Sequence, residues 1–372
     1  MNVPFVDLDA QYRTIGLELD RALLNAVRRG DHILGSEVAA FETEFAEYCG
    51  AKHAIGVGSG TDALHLCCRA LGLEAGDEVI VPAFTFIASA LGVVLSGATP
   101  VAVDVESATG LLDLEAFEAA ITPRTRAVIP VHLYGQCVDM DALVAIAQKH
   151  DLYVIEDAAQ AHGAVYRGRR AGSLGHLGCF SFYPSKNLGA VGDGGMVTTS
   201  HDDLAGRLRM LRNWGSDKKY VHNEFGLNSR LDNIQAAVLR VKLRRLDGWN
   251  AARVELARRY QDALAGSDTL TLTEYAAGSV YHLYVVRCAG RDRVFHQLRQ
   301  MGVGAGIHYP YALHEHHALR GILGGGDSFP VSEQWARSCL SLPMYAELPP
   351  EGIDYVAKQL RRAVAEAAGQ EG

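Results

Sequence analysis

A lysine set in a tight turn and followed by a run of glycines is the first feature with chemical potential. In CFSFYPSKNLGAVGDGG (Cys179–Gly195) the apolar run Phe180–Phe182 meets Pro184. Proline has no amide hydrogen, so regular strand pairing ends there. Ser185, Lys186 and Asn187 then fall in the turn, and the small residues after them let something large and flat approach the main chain. A lysine in a turn is ordinarily a solvated surface residue. A second stretch, VIEDAAQAHG (Val154–Gly163), changes that reading: an apolar strand-like run ends in Glu156 and Asp157. Carboxylates at the carboxyl end of an α/β strand sit where such folds place ligands. A lysine able to form a Schiff base, paired with an acid that protonates a pyridine nitrogen, is the protein's share of pyridoxal phosphate chemistry.

A third stretch, GVGSGTDA (Gly56–Ala63), is glycine-rich at the junction of a strand and a helix. It is not the dinucleotide fingerprint G-x-G-x-x-G, because its third glycine comes one residue early. It reads as a phosphate cup, in which Ser59, Gly60 and Thr61 offer free amides at the positive end of a helix dipole. The plainer alternative is that Thr61 only caps the helix.

Together these stretches resemble the nucleotide-sugar aminotransferases of the DegT/StrS family. PAFTFIAS (Pro82–Ser89), VHLYGQ (Val131–Gln136) and GLNSRLDNIQAA (Gly226–Ala237) add to the likeness, which covers essentially the whole chain. The resemblance implies an α/β, type I pyridoxal-phosphate fold. Its large domain (1–250, with an N-terminal arm) holds a mostly parallel seven-stranded sheet sandwiched by helices, and a smaller C-terminal α+β domain covers 251–372. It implies that Lys186 and Asp157 are catalytic. It implies that Ser59, Gly60, Thr61, Ser181 and, from the second chain of a homodimer, Asn228 hold the cofactor phosphate. Phe86, or alternatively Phe84, would lie over the cofactor ring, and Gln160 would contact its phenolic oxygen. The dehydratase branch of the family has histidine at the position of Lys186, so lysine there implies ping-pong transamination.

The substrate is read from the same likeness. Tyr183 stands where the branch that aminates C4 carries histidine, and GIHYP (Gly306–Pro310) resembles the sugar side of the branch that aminates C3. Tyr183, His308 and Tyr309 are therefore the expected substrate contacts. The expected reaction converts a dTDP-3-keto-6-deoxyhexose to its 3-amino sugar with L-glutamate as donor. The alternatives are amination at C4 of a nucleotide-linked 4-keto sugar, or a UDP-3-keto uronate as substrate. A catalytically silent sugar sensor and a structural dimerisation protein are the readings from other classes; fold alone excludes neither. An intact Lys186, Asp157 and Gln160 set argues against the first, and the glycine-rich loop against the second.

These groups must be positioned by alternating elements. Helices are expected at Leu17–Arg28, at Ser36–Tyr48 with Ser36 as its N-cap, at Thr61–Leu71 and at Asp139–Lys149. Strands are expected at Ala54–Val57, Ala127–Val131 and Tyr153–Glu156, and strands alternating with helices imply a mostly parallel sheet. Asp232–Ala265 reads as one long helical tract. Beyond Leu270 the expectation is a strand at His282–Cys288, a helix at Asp292–Met301, a strand at Val303–Ile307 and a terminal helix. Gly324–Gly326 reads as a mobile loop.

Val79–Val103 is uncharged over 25 residues, enough to nominate a membrane helix. Pro82, Gly92, Gly97 and Pro100 split it into pieces too short to span, so strand, buried helix and strand are expected. A net charge of −8 with both signs interspersed argues against nucleic acid and anionic membrane as partners. The seven cysteines show no metal spacing, and the N-terminus MNVPFVDLDAQY has no secretion-signal pattern. Reduced thiols, a cytoplasmic location and no metal are therefore expected. HEHH (His314–His317) reads as a polar wall near the sugar in preference to a metal tract.

Overall fold

Short Val/Ile/Ala-rich runs form a central sheet in the computed structural model, which describes residues 1–273 and 277–368. Its strands are β1 (His53–Val57), β2 (Glu78–Pro82), β3 (Thr99–Val103), β4 (Thr125–Val128), β5 (Tyr153–Asp157), β6 (Leu177–Ser181) and β7 (Gly195–Thr199). Their order across the sheet is β1-β7-β6-β5-β4-β2-β3. Strands β1 to β6 run parallel, and β7 runs antiparallel between β1 and β6. β2 is buried along its whole length, as expected of a parallel strand covered on both faces. Helices pack on both faces, giving two apolar layers, one around Leu64, Val79 and Ile155 and the other around Phe84, Val128 and Leu143.

This topology gathers one edge of the sheet. The carboxyl ends of β1 and β6 lie beside the first residue of β7, with Gly195 facing both Val57 and Ser181, and β5 ends next to β6, where Asp157 faces Cys179. The three motif regions read from the sequence thus open on one rim.

A second, antiparallel sheet follows, made of β8 (Leu270–Leu272), β9 (Tyr284–Cys288) and β10 (Cys339–Leu342). The helices Arg291–Gln300 and Pro350–Ala368 cover it around Tyr260, Tyr284, Leu298, Leu340 and Leu360. Val3 joins this cluster and bridges Val303, so the N-terminal arm is stitched to the C-terminal part of the chain.

Several expectations are corrected. The first helix begins earlier, at Leu8, because the Asp7 carboxylate accepts the Ala10 amide at 2.8 Å. Ser36 is the first residue of its helix and not the cap; its hydroxyl turns to Asp31. The free amides of Glu37 and Val38 are instead taken by the side-chain oxygen of Asn233, at 2.9 and 3.1 Å, from almost 200 residues away. The 232–265 tract is two helices, Asn233–Leu243 and Leu246–Leu264, broken at Arg244 and Arg245. The segment 303–307 makes two isolated bridges, to Val3 and to Ser341, and is not a regular strand, since its two ends pair with different partners. Gly324 belongs to no mobile loop: its amide donates to Pro100 and its carbonyl accepts from Ala102, at 2.8 and 2.9 Å. Edge strand β3 needs such a partner, and a Cβ on neighbouring Gly325 would lie 2.0 Å from the Ala102 carbonyl. Val79–Val103 resolves into β2, the helix Ala88–Ser96 and β3. Among the described residues no helix is long and apolar enough to cross a membrane.

Candidate active site

The gathered rim encloses a cavity of about 340 Å³. Its wall contains Ser59, Gly60, Thr61, Phe86, Asp157, Gln160, Ser181, Tyr183, Lys186, His308 and Tyr309. Asn228, expected at the cofactor phosphate, does not line it. It lies exposed in a separate segment, where it bridges Asn213.

Strand alternation separates the two acids at the end of β5. Asp157 faces the cavity; its Oδ2 accepts from the Ser89 hydroxyl at 2.8 Å and its Oδ1 from the Ala159 amide at 3.2 Å. Glu156 faces away and is fully buried. Its carboxylate accepts the amides of Gly172, Leu174 and Gly175 at 2.7–2.8 Å and meets His132 Nε2 at 3.0 Å. Glu156 therefore pins a loop, and Asp157 alone is available to a ligand. Burial pushes the Asp157 carboxyl above its ordinary range, while its hydrogen bonds and Lys186 pull it back.

Lys186 is held by its own turn. Its amide donates to the Tyr183 carbonyl at 2.8 Å, and the chain can return at Gly189 only because glycine has no Cβ, which would lie 2.2 Å from the Pro184 carbonyl. Asn187 anchors the turn from behind, donating to Asn250 and to the Val280 carbonyl at 2.9 and 3.0 Å and meeting His282 at 3.1 Å. Desolvation lowers the Lys186 ammonium to about 8, against the opposing pull of Asp157. Capture of a carbonyl compound needs the neutral amine. The rate of cofactor incorporation into the apoprotein should therefore rise with pH and level off above about 8. A rate still climbing steeply at pH 10, followed by stopped-flow absorbance, would show an ordinary solvated lysine.

The cup at the end of β1 is capped by Ser59 and not by Thr61: the Ser59 hydroxyl accepts the Asp62 amide at 3.1 Å. The amides of Gly60 and Thr61 open the helix and have no partner within it. Gly60 is needed because a Cβ would sit 2.7 Å from that of Ser181, which lines the same cup.

On the opposite wall Phe86 is 52% exposed and faces the cavity, whereas Phe84 is fully buried against Trp335. Of the two phenylalanines, Phe86 is the one that lines the cavity. Gln160 is no helix-surface glutamine: its Oε1 accepts the Tyr134 amide at 2.8 Å and its Nε2 donates to the Tyr309 hydroxyl at 2.9 Å. Tyr309 lies 5.6 Å from Phe86, centroid to centroid. His308 stacks on Phe5 of the N-terminal arm and meets Ser341 at 2.9 Å. Burial, helped by Lys186, lowers the His308 imidazolium to about 4, so the ring is neutral near pH 7. Tyr183 is 57% exposed at the mouth.

The HEHH segment is not a wall of this cavity. His314 packs on Phe329 and pairs with Glu333 at 3.3 Å, because the segment turns away toward the Pro330–Ser338 helix. Among the described residues no group of three or more potential metal ligands is assembled. Sequence reasoning missed Thr85, Ser89, Tyr134, Asn187, His282 and Asp193. Thr85 and Ser89 lay inside PAFTFIAS, whose phenylalanines drew the attention.

A strand-end acid, a partly desolvated lysine and a helix N-terminus around one cavity define a pyridoxal-phosphate enzyme of the type I α/β class. The chain matches the model of the DegT/DnrJ/EryC1/StrS aminotransferase family over residues 14–361, and it belongs to that family. It is 50% identical over 344 residues to the dTDP-3-amino-3,4,6-trideoxy-alpha-D-glucose transaminase of Streptomyces venezuelae, covering 92% of this chain and 91% of that one. It is 49% identical over 363 residues to the erythromycin biosynthesis sensory transduction protein EryC1 of Saccharopolyspora erythraea, covering 97% and 99%. The X-ray structure of S. venezuelae DesV superposes with a TM-score of 0.94 at 48% identity, covering 97% and 98%. The protein is an aminotransferase whose cofactor is pyridoxal 5′-phosphate. The residues present fit that group: amides at a helix N-terminus for a dianion, a space beside Ser181 that only glycine leaves open, and an acid and an amine on the same cavity wall.

Proposed function

We propose that this enzyme transfers the amino group of L-glutamate to C3 of a dTDP-linked 3-keto-6-deoxyhexose. The observation that carries the reading is the junction, in one cavity, of Lys186 and Asp157 with Tyr183, His308 and Tyr309. The name of the Streptomyces venezuelae relative supports it. The amides of Gly60 and Thr61, with the hydroxyls of Ser59 and Ser181, would hold the cofactor phosphate. Phe86, Gln160 and Asp157, which line the same cavity, would hold its ring, with Asp157 as the acid for the ring nitrogen. Bound, the cofactor supplies an electron sink for the negative charge that forms when a proton leaves the donor's α-carbon. Lys186 carries that proton, because desolvation brings its ammonium down to about 8, within reach of both protonation states, and it lines the cavity. Tyr183, whose hydroxyl can donate or accept a hydrogen bond at the cavity mouth, orients a sugar hydroxyl. Neutral His308 accepts or donates one hydrogen bond on the sugar side.

The test is NMR of the product when 3-keto and 4-keto substrates are offered together. Amination at C3 is expected; amination confined to C4 would overturn the regiochemistry and leave the aminotransferase untouched.

We also propose that the enzyme is a cytoplasmic homodimer with a shared active site, its chain divided near residue 250 into a large cofactor domain and a smaller C-terminal one. The helix Leu246–Leu264 would connect the two. Asn228 is exposed and does not line its own chain's cavity, so the phosphate contact that the resemblance implies for it would be made in a neighbour's site. Mixing refolded Lys186→Ala and Asn228→Ala chains, each inactive alone, should restore one working site per heterodimer. Activity that never rises on mixing argues for a site made within one chain.

A further inference from the structure

Behind Asp157 lies a chain of buried hydroxyls. Ser89 is the second residue of the helix Ala88–Ser96, and its amide donates to the Phe86 carbonyl at 3.1 Å. A serine near a helix start ordinarily satisfies its own backbone. Here the hydroxyl turns instead to Asp157 Oδ2, 68 residues away, at 2.8 Å. The same Ser89 oxygen lies 3.0 Å from the Thr85 hydroxyl, and both side chains are buried. The directions of these bonds are fixed. An ionised carboxylate can only accept, so Ser89 gives its one proton to Asp157 and must accept from Thr85.

We propose that Ser89, backed by Thr85, is a positioning residue that keeps Asp157 ionised and aimed at the cofactor ring. Its donated proton stabilises the charged carboxylate and occupies one lone pair, as the Ala159 amide does on the other oxygen. The remaining lone pairs are left for the ring nitrogen. The other groups that act on Asp157 are Lys186 from the turn, His132 from the loop after β4, Cys179 from β6 and Tyr309 from the far wall. Among the described residues, Ser89 is the one side chain that hydrogen-bonds the carboxylate. The inference rests on the assignment of Asp157 under the proposed function.

The experiment measures release of pyridoxamine phosphate, which has no covalent tether, from the holoenzyme as a function of pH. Ser89→Ala should speed release about tenfold and move the acidic limb of retention up by about one pH unit, since a lost hydrogen bond to the charged form raises the carboxyl pKa. Ser89→Cys, a weaker donor of similar size, should fall between, and Thr85→Val should show a smaller shift in the same direction. With 15N-labelled cofactor, the ring nitrogen of Ser89→Ala should lose protonated character. A Ser89→Ala enzyme of lowered Tm but unmoved limb, release rate and 15N shift would overturn the proposal and mark Ser89 as packing. Asp157→Asn is the control: if it too retains the cofactor normally, the assignment of Asp157 fails and the inference falls with it.

Discussion

Lys186→Ala is expected to lose at least about 10⁴-fold in turnover, because one side chain both tethers the cofactor and carries the proton. The cavity otherwise survives the change. The Gly60–Thr61 amides, Ser59, Ser181 and Asp157 do not depend on the lysine side chain, and the turn is closed by the Lys186 backbone amide and anchored by Asn187. The variant should therefore still bind cofactor, with its absorbance altered by loss of the covalent link, and it should trap product. Lys186→Arg should behave alike, since a guanidinium cannot be deprotonated in a protein. The measurement is turnover with and without added small amines, together with the absorbance spectrum. Substantial turnover by Lys186→Ala without added amine would remove Lys186 from the mechanism.

Asp157→Asn should cost about 10²–10³-fold in kcat, the scale of losing one preorganised electrostatic partner at a dry site. Asparagine keeps the shape and can still accept from Ser89, but it carries no charge to hold the ring nitrogen protonated. The loss should therefore fall on kcat more than on KM for the sugar, whose expected contacts are Tyr183, His308 and Tyr309. Steady-state kinetics with both substrates separate the two. An effect confined to KM would place Asp157 at the substrate instead of the cofactor. Glu156→Gln is the matched comparison. Glu156 accepts three amides of the 172–175 loop and faces away from the cavity, so its loss should appear chiefly as lowered stability.

The motifs were legible because their chemistry is local. Lys186 could be singled out from Pro184 before it and the glycines after it, and Asp157 from its place at the end of an apolar run. Residues one or two apart in a strand or turn have fixed relative positions, whatever the rest of the chain does. The sheet was legible for the same reason, since alternating apolar runs and helical stripes have their own periods. Boundaries were less so. The helix at Ser36 looked capped by its own first residue, yet its cap is Asn233, and no local pattern signals a partner so distant.

The sequence by itself determined the family and its cofactor, the motifs that hold Lys186, Asp157 and the glycine-rich cup, and the alternating α/β order, because each motif and each element is written within a short contiguous stretch. Tertiary structure decided everything that depends on two distant segments meeting. It turned Phe86 and not Phe84 into the cavity, and set Glu156 to hold a loop while Asp157 faced the ligand. It removed His314–His317 from the site, tied Gly324 to the edge of the sheet and brought Ser89 to Asp157. Side-chain direction on a strand has only two values, but which face becomes cavity and which becomes core is chosen by what packs there, and that is a property of the whole fold.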